Sequence, residues 1–263
     1  MNADGSDYTV LHSFQSLHQD GAGPQGMVLA NDGLLYGVTG YGGTHGNGIV
    51  FRIAPNGSEY TITHHFESPM FFSITPAGLV QGGDGALYGT THRGGSADRG
   101  TVYRIDRDGA GYAVIHSFQN SGGDGQQPEA TLVSGNDGML YGTTSRGGVG
   151  GGIIFKISLD GSVYTILHTF LFGNDGVTPR APLTLASDGL LYGTTYYNGI
   201  GFSNGTIFRI RRDGSDYSIL HSFSSAIAGG ASRPISKLVE ARDGQLYGTT
   251  ERVTTATTGS RAN

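Results

Sequence analysis

Apolar and polar positions along this chain alternate in short segments with a period of two, and no segment sustains the period of a helix. Residues 24–66 set out the pattern. A short apolar run, Met27 to Ala30, follows Pro24; LLYGVT stands at 34–39, GIVFRI at 48–53 and YTITHHF at 60–66. The breaks are turn formers: Asn31-Asp32-Gly33 and Asn56-Gly57 supply the left-handed residues that tight hairpins require. The pattern predicts four consecutive antiparallel strands. In the third, Ile49, Phe51 and Ile53 fall on one face. In the fourth, the set represented by Tyr8, Val10, His12 and Phe14 is expected on one face, with Thr9, Leu11 and Ser13 opposite. Both faces are partly apolar, so each sheet must be covered on both sides.

The unit recurs. Tyrosine opens the fourth-strand motif at Tyr8, Tyr60, Tyr112, Tyr164 and Tyr217, at intervals of 52, 52, 52 and 53 residues. Leu-Tyr-Gly recurs around Tyr36, Tyr88, Tyr141, Tyr192 and Tyr247, and proline at Pro24, Pro76, Pro128, Pro179 and Pro234. Three markers on one period define five repeats, and radial repetition of four-stranded sheets is how a propeller avoids exposed strand edges. The expected fold is all-β: a five-bladed β-propeller of four-stranded antiparallel blades in one domain, residues 1–263. An open β-solenoid is the alternative architecture.

The chain is out of phase with this unit. It begins with a fourth-strand motif, YTVLHSF at 8–14, and ends just after a second-strand motif, LYGTT at 246–250. The last blade is therefore expected to combine residues 1–14 with 234–263, pairing N-terminal and C-terminal strands to close the ring. There are five copies of the other motifs and four of the GIVFRI type. Residues 251–263, ERVTTATTGSRAN, occupy the place of the fifth. Either Arg252 to Thr258 substitutes for it, or the chain is a fragment of a longer repeat protein.

Composition refines this picture. There are 47 glycines in 263 residues and only 37% hydrophobic residues, far above the usual glycine share of about 7%. Their fixed offsets between apolar segments, with 14 Tyr and 12 Phe, favour a turn-rich fold over a disordered chain. The formal net charge is −5 and no basic run exists, which argues against a nucleic-acid partner. The absence of cysteine excludes disulfides and thiolate metal sites. No apolar stretch reaches the length of a membrane span, and the polar residues 1–7 do not read as a signal peptide.

Strand direction places the candidate chemistry. Loops after the second and fourth strands emerge at one end of each sheet, and the short, uniform Asp-Gly and Asn-Gly turns at the other. The first set is long and variable: GYGGTHGN (40–47), HRGGSADR (92–99), SRGGVGG (145–151) and YYNGIGFSN (196–204) after the second strand, and segments such as QSLHQDGAG (15–23) and LFGNDGVT (171–178) after the fourth. Loops on a rigid scaffold carry function. At one position in them stand Tyr41, Arg93, Arg146, Tyr197 and Arg252, planar side chains suited to stacking on sugar rings or flat ligands, or to capping the ends of the sheets. Met70, Phe71 and Phe72 form an apolar loop tip, a contact patch or a core plug.

Residues that recur in every repeat read as scaffold. His12, His64, His116, His168 and His221 hold one position in all five, as a structural bond would and an asymmetric ligand pocket would not. Asp20, Asp124 and Asp175 precede three of the prolines by four residues. One carboxylate per loop is a poor supply for calcium, so they read as turn residues, and no metal or cofactor is expected. Arg52, Arg104, Lys156 and Arg209 recur on the third strand as edge ion pairs. The non-repeating polar residues are His18, His45, Asp98, Arg99, Arg180, Asn198 and Glu251. An enzyme would have to draw its acid and base from these.

The unit DGxLYGTTxxGG…GTVFRIxxDGxxYTxLHSF, carried by Asp137-Gly138, Leu140 to Thr144, Gly147-Gly148, Ile153 to Ile157 and Tyr164 to Phe170, resembles the Gloeo-Verruco repeat family. The resemblance implies an exported bacterial repeat protein, often with a separate anchoring segment and without an assigned activity. A looser similarity links the strand order to streptogramin lyase-like propellers, which are enzymes; their catalytic His and Glu motif has no match here, so no residue role carries over. The function expected is a non-catalytic, monomeric module binding a glycan or protein partner on the long-loop face. The alternative is a lyase or hydrolase with a central-channel site.

Overall fold

The computed structural model describes residues 4–15, 20–67, 74–119, 121–173, 175–197, 204–223 and 231–253. Among these there is no helix, and none long and apolar enough to cross a membrane. Four four-stranded antiparallel sheets follow one another, each with its strands in chain order. The first is Gly21–Leu29, Leu35–Gly42, Ile49–Ile53 and Thr61–His65; the second Val80–Gln81, Leu87–Thr91, Thr101–Ile105 and Ala113–Ser117. The third is Val133–Ser134, Met139–Thr144, Ile153–Ser158 and Tyr164–Thr169; the fourth Thr184–Leu185, Leu191–Thr195, Thr206–Ile210 and Ser218–Ser222. The fifth repeat contributes two ladders, Ala231–Pro234 with Thr250–Val253 and Val239–Glu240 with Leu246–Tyr247. The chain groups into two compact units, residues 1–117 and 118–263.

The Asp-Gly-x-Leu-Tyr motif builds the first hairpin of each repeat. Asp32 accepts the Leu34 amide at 3.1 Å with one oxygen and the Tyr36 hydroxyl at 2.9 Å with the other. Asp84, Asp137 and Asp188 repeat this with Tyr88, Tyr141 and Tyr192 at 2.8–2.9 Å. One carboxylate thus fixes the turn and gives a buried phenol the partner it needs.

The glycine after that tyrosine is required by a close approach. A Cβ on Gly142 would stand 2.6 Å from Cζ of Phe155 and 2.7 Å from Cδ2 of Leu132. Phe51, Tyr103 and Phe208 lie over Gly37, Gly89 and Gly193 in the same way. The third-strand ring is thereby sunk into the sheet surface, and it meets, edge-on, a phenylalanine that ends the preceding repeat. Phe14 packs on Phe51 and Phe66 on Tyr103 at 5.3 Å, Phe118 on Phe155 at 5.4 Å and Phe170 on Phe208 at 5.3 Å.

The fourth strand departs from the sequence expectation. Val50 pairs with His64, but Phe51 pairs with Ile62, so Thr63 is an extra residue; the same irregularity recurs in the second, third and fourth sheets. An inserted residue shifts a period-2 pattern by one and turns the side chains beyond it to the other face. Tyr60 and Ile62 therefore pack against the first sheet's own core with Phe14, while His64 and Phe66 reach Tyr112 and Tyr103 of the next repeat. The four residues expected on one face are split between two. The N-terminal segment also differs: residues 8–14 form no strand, yet Leu11 and Phe14 still pack against Ile49, Phe51 and Ile53.

Gly142→Ala should destabilise the protein by about 1–3 kcal/mol, the cost of forcing a methyl group into a filled core. Gly33→Ala meets no atom within 4 Å, though its φ of 81° adds strain. Urea-unfolding midpoints of the two variants should show the larger loss at Gly142, despite its lack of a left-handed backbone.

Candidate functional site

The long loops share one end of the sheets through direct bonds. The Gly43 amide, after a second strand, donates to the Asp20 carbonyl at 3.0 Å, and the Gly148 amide to the Asp124 carbonyl at 2.7 Å. At the other end the short turns bond to each other. Arg107 reaches Asp32 at 2.9 Å, Arg212 reaches Asp137 at 3.1 Å and the Ser187 hydroxyl donates to Glu240 at 2.6 Å.

The five positions singled out in the sequence occupy one backbone environment. Each lies two residues after a threonine whose hydroxyl donates to its carbonyl: Thr39 to Tyr41 at 2.8 Å, Thr91 to Arg93 at 2.6 Å, Thr144 to Arg146 at 2.8 Å, Thr195 to Tyr197 at 3.0 Å and Thr250 to Arg252 at 3.5 Å. Each also pairs with the residue two before a repeat proline. Tyr41, Arg146 and Arg252 lie opposite Ala22, Gln126 and Ser232, while the amides of Arg93 and Tyr197 donate to Ile74 and Val177. The side chains differ in access. Tyr41, Arg146 and Arg252 are exposed; Tyr197 is half-buried; Arg93 is half-buried and paired with Asp98 at 3.2 Å.

A second row stands beside the first. It comprises the residue after each of those threonines (Gly40, His92, Ser145, Tyr196 and Glu251) and the residue after each proline (Gln25, Ala77, Glu129, Arg180 and Ile235). The residue before each proline carries a positive φ: 64° at Gly23, 40° at Thr75, 57° at Gln127, 61° at Thr178 and 58° at Arg233. For the non-glycine residues this costs about 1–3 kcal/mol each. The conformation turns the carbonyl toward the second row. The amides of His92, Ser145 and Tyr196 donate to the carbonyls of Thr75, Gln127 and Thr178 at 3.0–3.1 Å.

In residues 118–263 this row becomes a continuous polar chain. The Ser145 hydroxyl donates to Glu129 Oε1 at 2.6 Å; Glu129 Oε2 pairs with Arg180 Nε at 3.2 Å; the Arg180 guanidinium lies 4.8 Å from the centre of the Tyr196 ring. The Tyr196 hydroxyl donates to Glu251, and Arg233 lies 5.3 Å from the Tyr196 ring and 5.8 Å from the Tyr197 ring. The bond to Glu251, with burial, holds the Tyr196 phenol above its ordinary range against the opposing charge of Arg233. Tyr196 is a neutral donor held between two cations, each contact of a kind worth about 0.5–2 kcal/mol. The sequence marked Arg180 and Glu251 as non-repeating but missed Glu129, Ser145, Tyr196 and Arg233. Aligning the repeats on the residues flanking proline and following the paired threonines exposes all of them.

The model of the Gloeobacter/Verrucomicrobia repeat matches residues 72–261. The chain belongs to the Gloeobacter/Verrucomicrobia repeat family. No curated protein matches it. Among solved structures it is similar to a chain of the nidogen/laminin complex (TM-score 0.58, 16% identity, covering 86% of this chain and 72% of that one). It is also similar to a TolB-like protein of Agrobacterium tumefaciens (0.53, 15%, 86% and 72%) and to a gluconolactonase of Xanthomonas campestris (0.53, 14%, 86% and 69%). At these identities the likeness is one of fold, and the fold is β-propeller-like.

In this Gloeobacter/Verrucomicrobia repeat chain the recurring histidines His12, His64 and His168, with the aspartates Asp20 and Asp175, are joints between repeats. His12 bonds Asp20 at 2.9 Å and stacks on Tyr60 at 3.7 Å, and the Tyr60 hydroxyl donates to the same carboxylate. His168 bonds Asp175 at 3.0 Å and stacks on Tyr217 at 3.7 Å; Tyr164 donates to Asp124 at 2.6 Å. The aspartates do more than shape turns: their oxygens accept loop amides as well, as Asp20 does from Gly21 and Asp175 from Leu171. The second repeat carries Phe72 at this position in the sequence, and there His64 stacks on Tyr112 at 4.5 Å. On the third strands, Arg104 pairs with Asp84 at 3.5 Å and Asp106 at 2.8 Å, whereas Arg209 bonds the Ser218 hydroxyl. His45 meets Glu67 at 3.6 Å on the surface, and Arg99 keeps a buried Nε without a partner among the described residues. His18, Met70, Phe71, Phe72 and Asn198 lie outside the described residues.

These joints make stability depend on pH in two steps. Burial, with the neighbouring charge of His65, holds His64 below its ordinary range despite Glu67. The fold therefore favours neutral His64, and stability should fall as pH drops through about 6.5. Burial pushes Asp20 and Asp175 up, but bonds from Tyr60, His12 and loop amides to the first, and from His168 and the Leu171 amide to the second, outweigh it and leave both below the usual carboxylate range. Their contribution is complete above about pH 4 and is lost below it. Denaturant titrations across pH should show both steps, and His64→Gln should flatten the upper one while leaving the lower.

Proposed function

We propose that this chain is a non-catalytic binding module recognising a glycan or protein partner at its long-loop end. The proposal includes one five-bladed propeller over residues 1–263, with a last blade drawn from residues 1–14 and 234–263. The observation that supports recognition is the polar chain from Glu129 to Glu251. A carboxylate that acts as a general acid or base must be free to exchange a proton with substrate. Here both Glu129 oxygens are engaged, by Ser145 and Arg180, and Glu251 accepts from Tyr196. Tyr196 is buried, so what the row offers outward is the guanidinium N–H of the exposed Arg180, with the half-buried Tyr197 ring of the first row beside it, groups that hold hydroxyl pairs and carboxylates and stack on flat faces. Tyr41, 52% exposed beside Gly42 and Gly43, gives a ring that a sugar can approach closely.

A glycan array read with wild-type protein, Tyr41→Ala/Tyr197→Ala and Arg180→Ala/Arg233→Ala tests this. Binding to a defined class of glycans, weakened roughly tenfold or more in the double variants as for interface hot spots, is the expected result. Binding indifferent to both variants removes the site. A bare array leaves the protein partner, to be sought by affinity capture with the same variants as controls. Turnover of a lactone or glycoside that disappears in Glu251→Gln would overturn the non-catalytic reading.

A further inference from the structure

Cations and carboxylates at the long-loop end do not balance. Arg180 is answered by Glu129 at 3.2 Å, and Glu251 is engaged by the Tyr196 hydroxyl. Arg233 has no such partner. Its Nη1 reaches the Tyr196 oxygen at 3.4 Å, and its Nε is buried without a hydrogen-bond partner among the described residues. Every Asp and Glu side chain of the chain lies among those residues, and none pairs with Arg233. Glu251 meets it only through the shared phenol oxygen. Within residues 118–253 the two rows and the positions before their prolines hold four guanidiniums, Arg146, Arg180, Arg233 and Arg252, and two carboxylates, Glu129 and Glu251. The local excess is positive in a protein whose formal net charge is −5.

The turn itself does not call for a cation. Arg233 has a φ of 58°, in the left-handed region that glycine occupies freely and a residue with a Cβ does not. The equivalent positions carry Gly23, Thr75, Gln127 and Thr178, none of them charged. Two rings fix the guanidinium in place: it lies 5.3 Å from the centre of the Tyr196 ring and 5.8 Å from that of Tyr197. Tyr196 is 7% exposed and forms a wall, whereas Tyr197 is half-buried and keeps part of its surface open. A guanidinium short of acceptors regains them from a carboxylate, which takes two parallel N–H bonds.

We infer that the ligand of the long-loop end is an acidic glycan, its carboxylate paired with Arg233 and its sugar ring lying against Tyr197. This rests on the reading of that end as a recognition site and names the class of ligand. A neutral sugar would leave the Arg233 charge unanswered. An acidic sugar brings both the missing charge and an apolar ring face to lay on the phenol.

The test is a calorimetric titration of the full chain with a galacturonic acid oligomer, a glucuronic acid disaccharide and a sialylated trisaccharide, each beside its methyl ester. At least one acid should bind saturably, and its ester at least roughly tenfold more weakly. Arg233→Gln should lose the same factor and abolish the preference for acid over ester. Arg211→Gln removes the same charge at the short-turn end, where Arg211 pairs with Asp216, and should leave the affinity within about twofold, since screening confines such effects to short range. Equal binding of acid and ester, or equal loss in the two arginine variants, overturns the pairing with Arg233. Where that binding is still lost in Tyr41→Ala/Tyr197→Ala, recognition at this end stands without it. No binding of any acid overturns the ligand class. The ester comparison uses the unaltered protein, so it decides even if Arg233→Gln fails to fold.

Discussion

A ring resting on a glycine organises this protein. Each third strand carries an aromatic side chain that must lie flat on the neighbouring strand, and only a residue without a Cβ permits that depth. Once sunk, the ring presents its edge to the phenylalanine of the preceding repeat at 5.3–5.4 Å, an arrangement that aromatic quadrupoles favour. The packing of one sheet and the packing between successive repeats within a unit are therefore the same contact. The high glycine content follows from it and from the turns, and the modest hydrophobic fraction suffices because a few rings are used twice.

The extra residue in the fourth strand makes this contact directional. Without it, Tyr60, Ile62, His64 and Phe66 would face one way, and the sheet would have nothing to offer its other neighbour. With it, the strand binds its own core by its first half and the next repeat by its second. The histidine-aspartate joint rides on the same half-strand. Where the second repeat carries Phe72 in place of that aspartate in the sequence, His64 stacks on Tyr112, whose phenol burial pushes up to about 12.

Much of this was legible in the sequence because the repeat writes most signals four or five times. The hairpin aspartates, the third strands and the scaffold role of the histidines can be read from spacing, since each depends on neighbours close along the chain. The inserted Thr63 cannot: the residues of the fourth strand keep a regular alternation, and only the ladder reveals that Phe51 meets Ile62 instead of Thr63. The polar chain was half visible. Arg180 and Glu251 stood out as non-repeating, but Glu129 and Arg233 flank a recurring proline and Tyr196 follows a recurring threonine pair, so the constant neighbours masked the variable residue. Their meeting depends on contacts across repeats, as between Glu129 and Arg180, which a linear pattern does not encode.

The left-handed residue before each proline has a wider meaning. Because the backbone itself positions the second row, through a carbonyl that any side chain leaves in place, the identity of the row is nearly independent of the fold. Gly40, His92, Ser145, Tyr196 and Glu251 stand in one kind of socket with five different chemistries. A lineage built on such sockets can exchange two side chains per repeat and acquire a new preference without redesigning its frame. Duplication of a repeat then multiplies positions that are free to diverge from the day they arise.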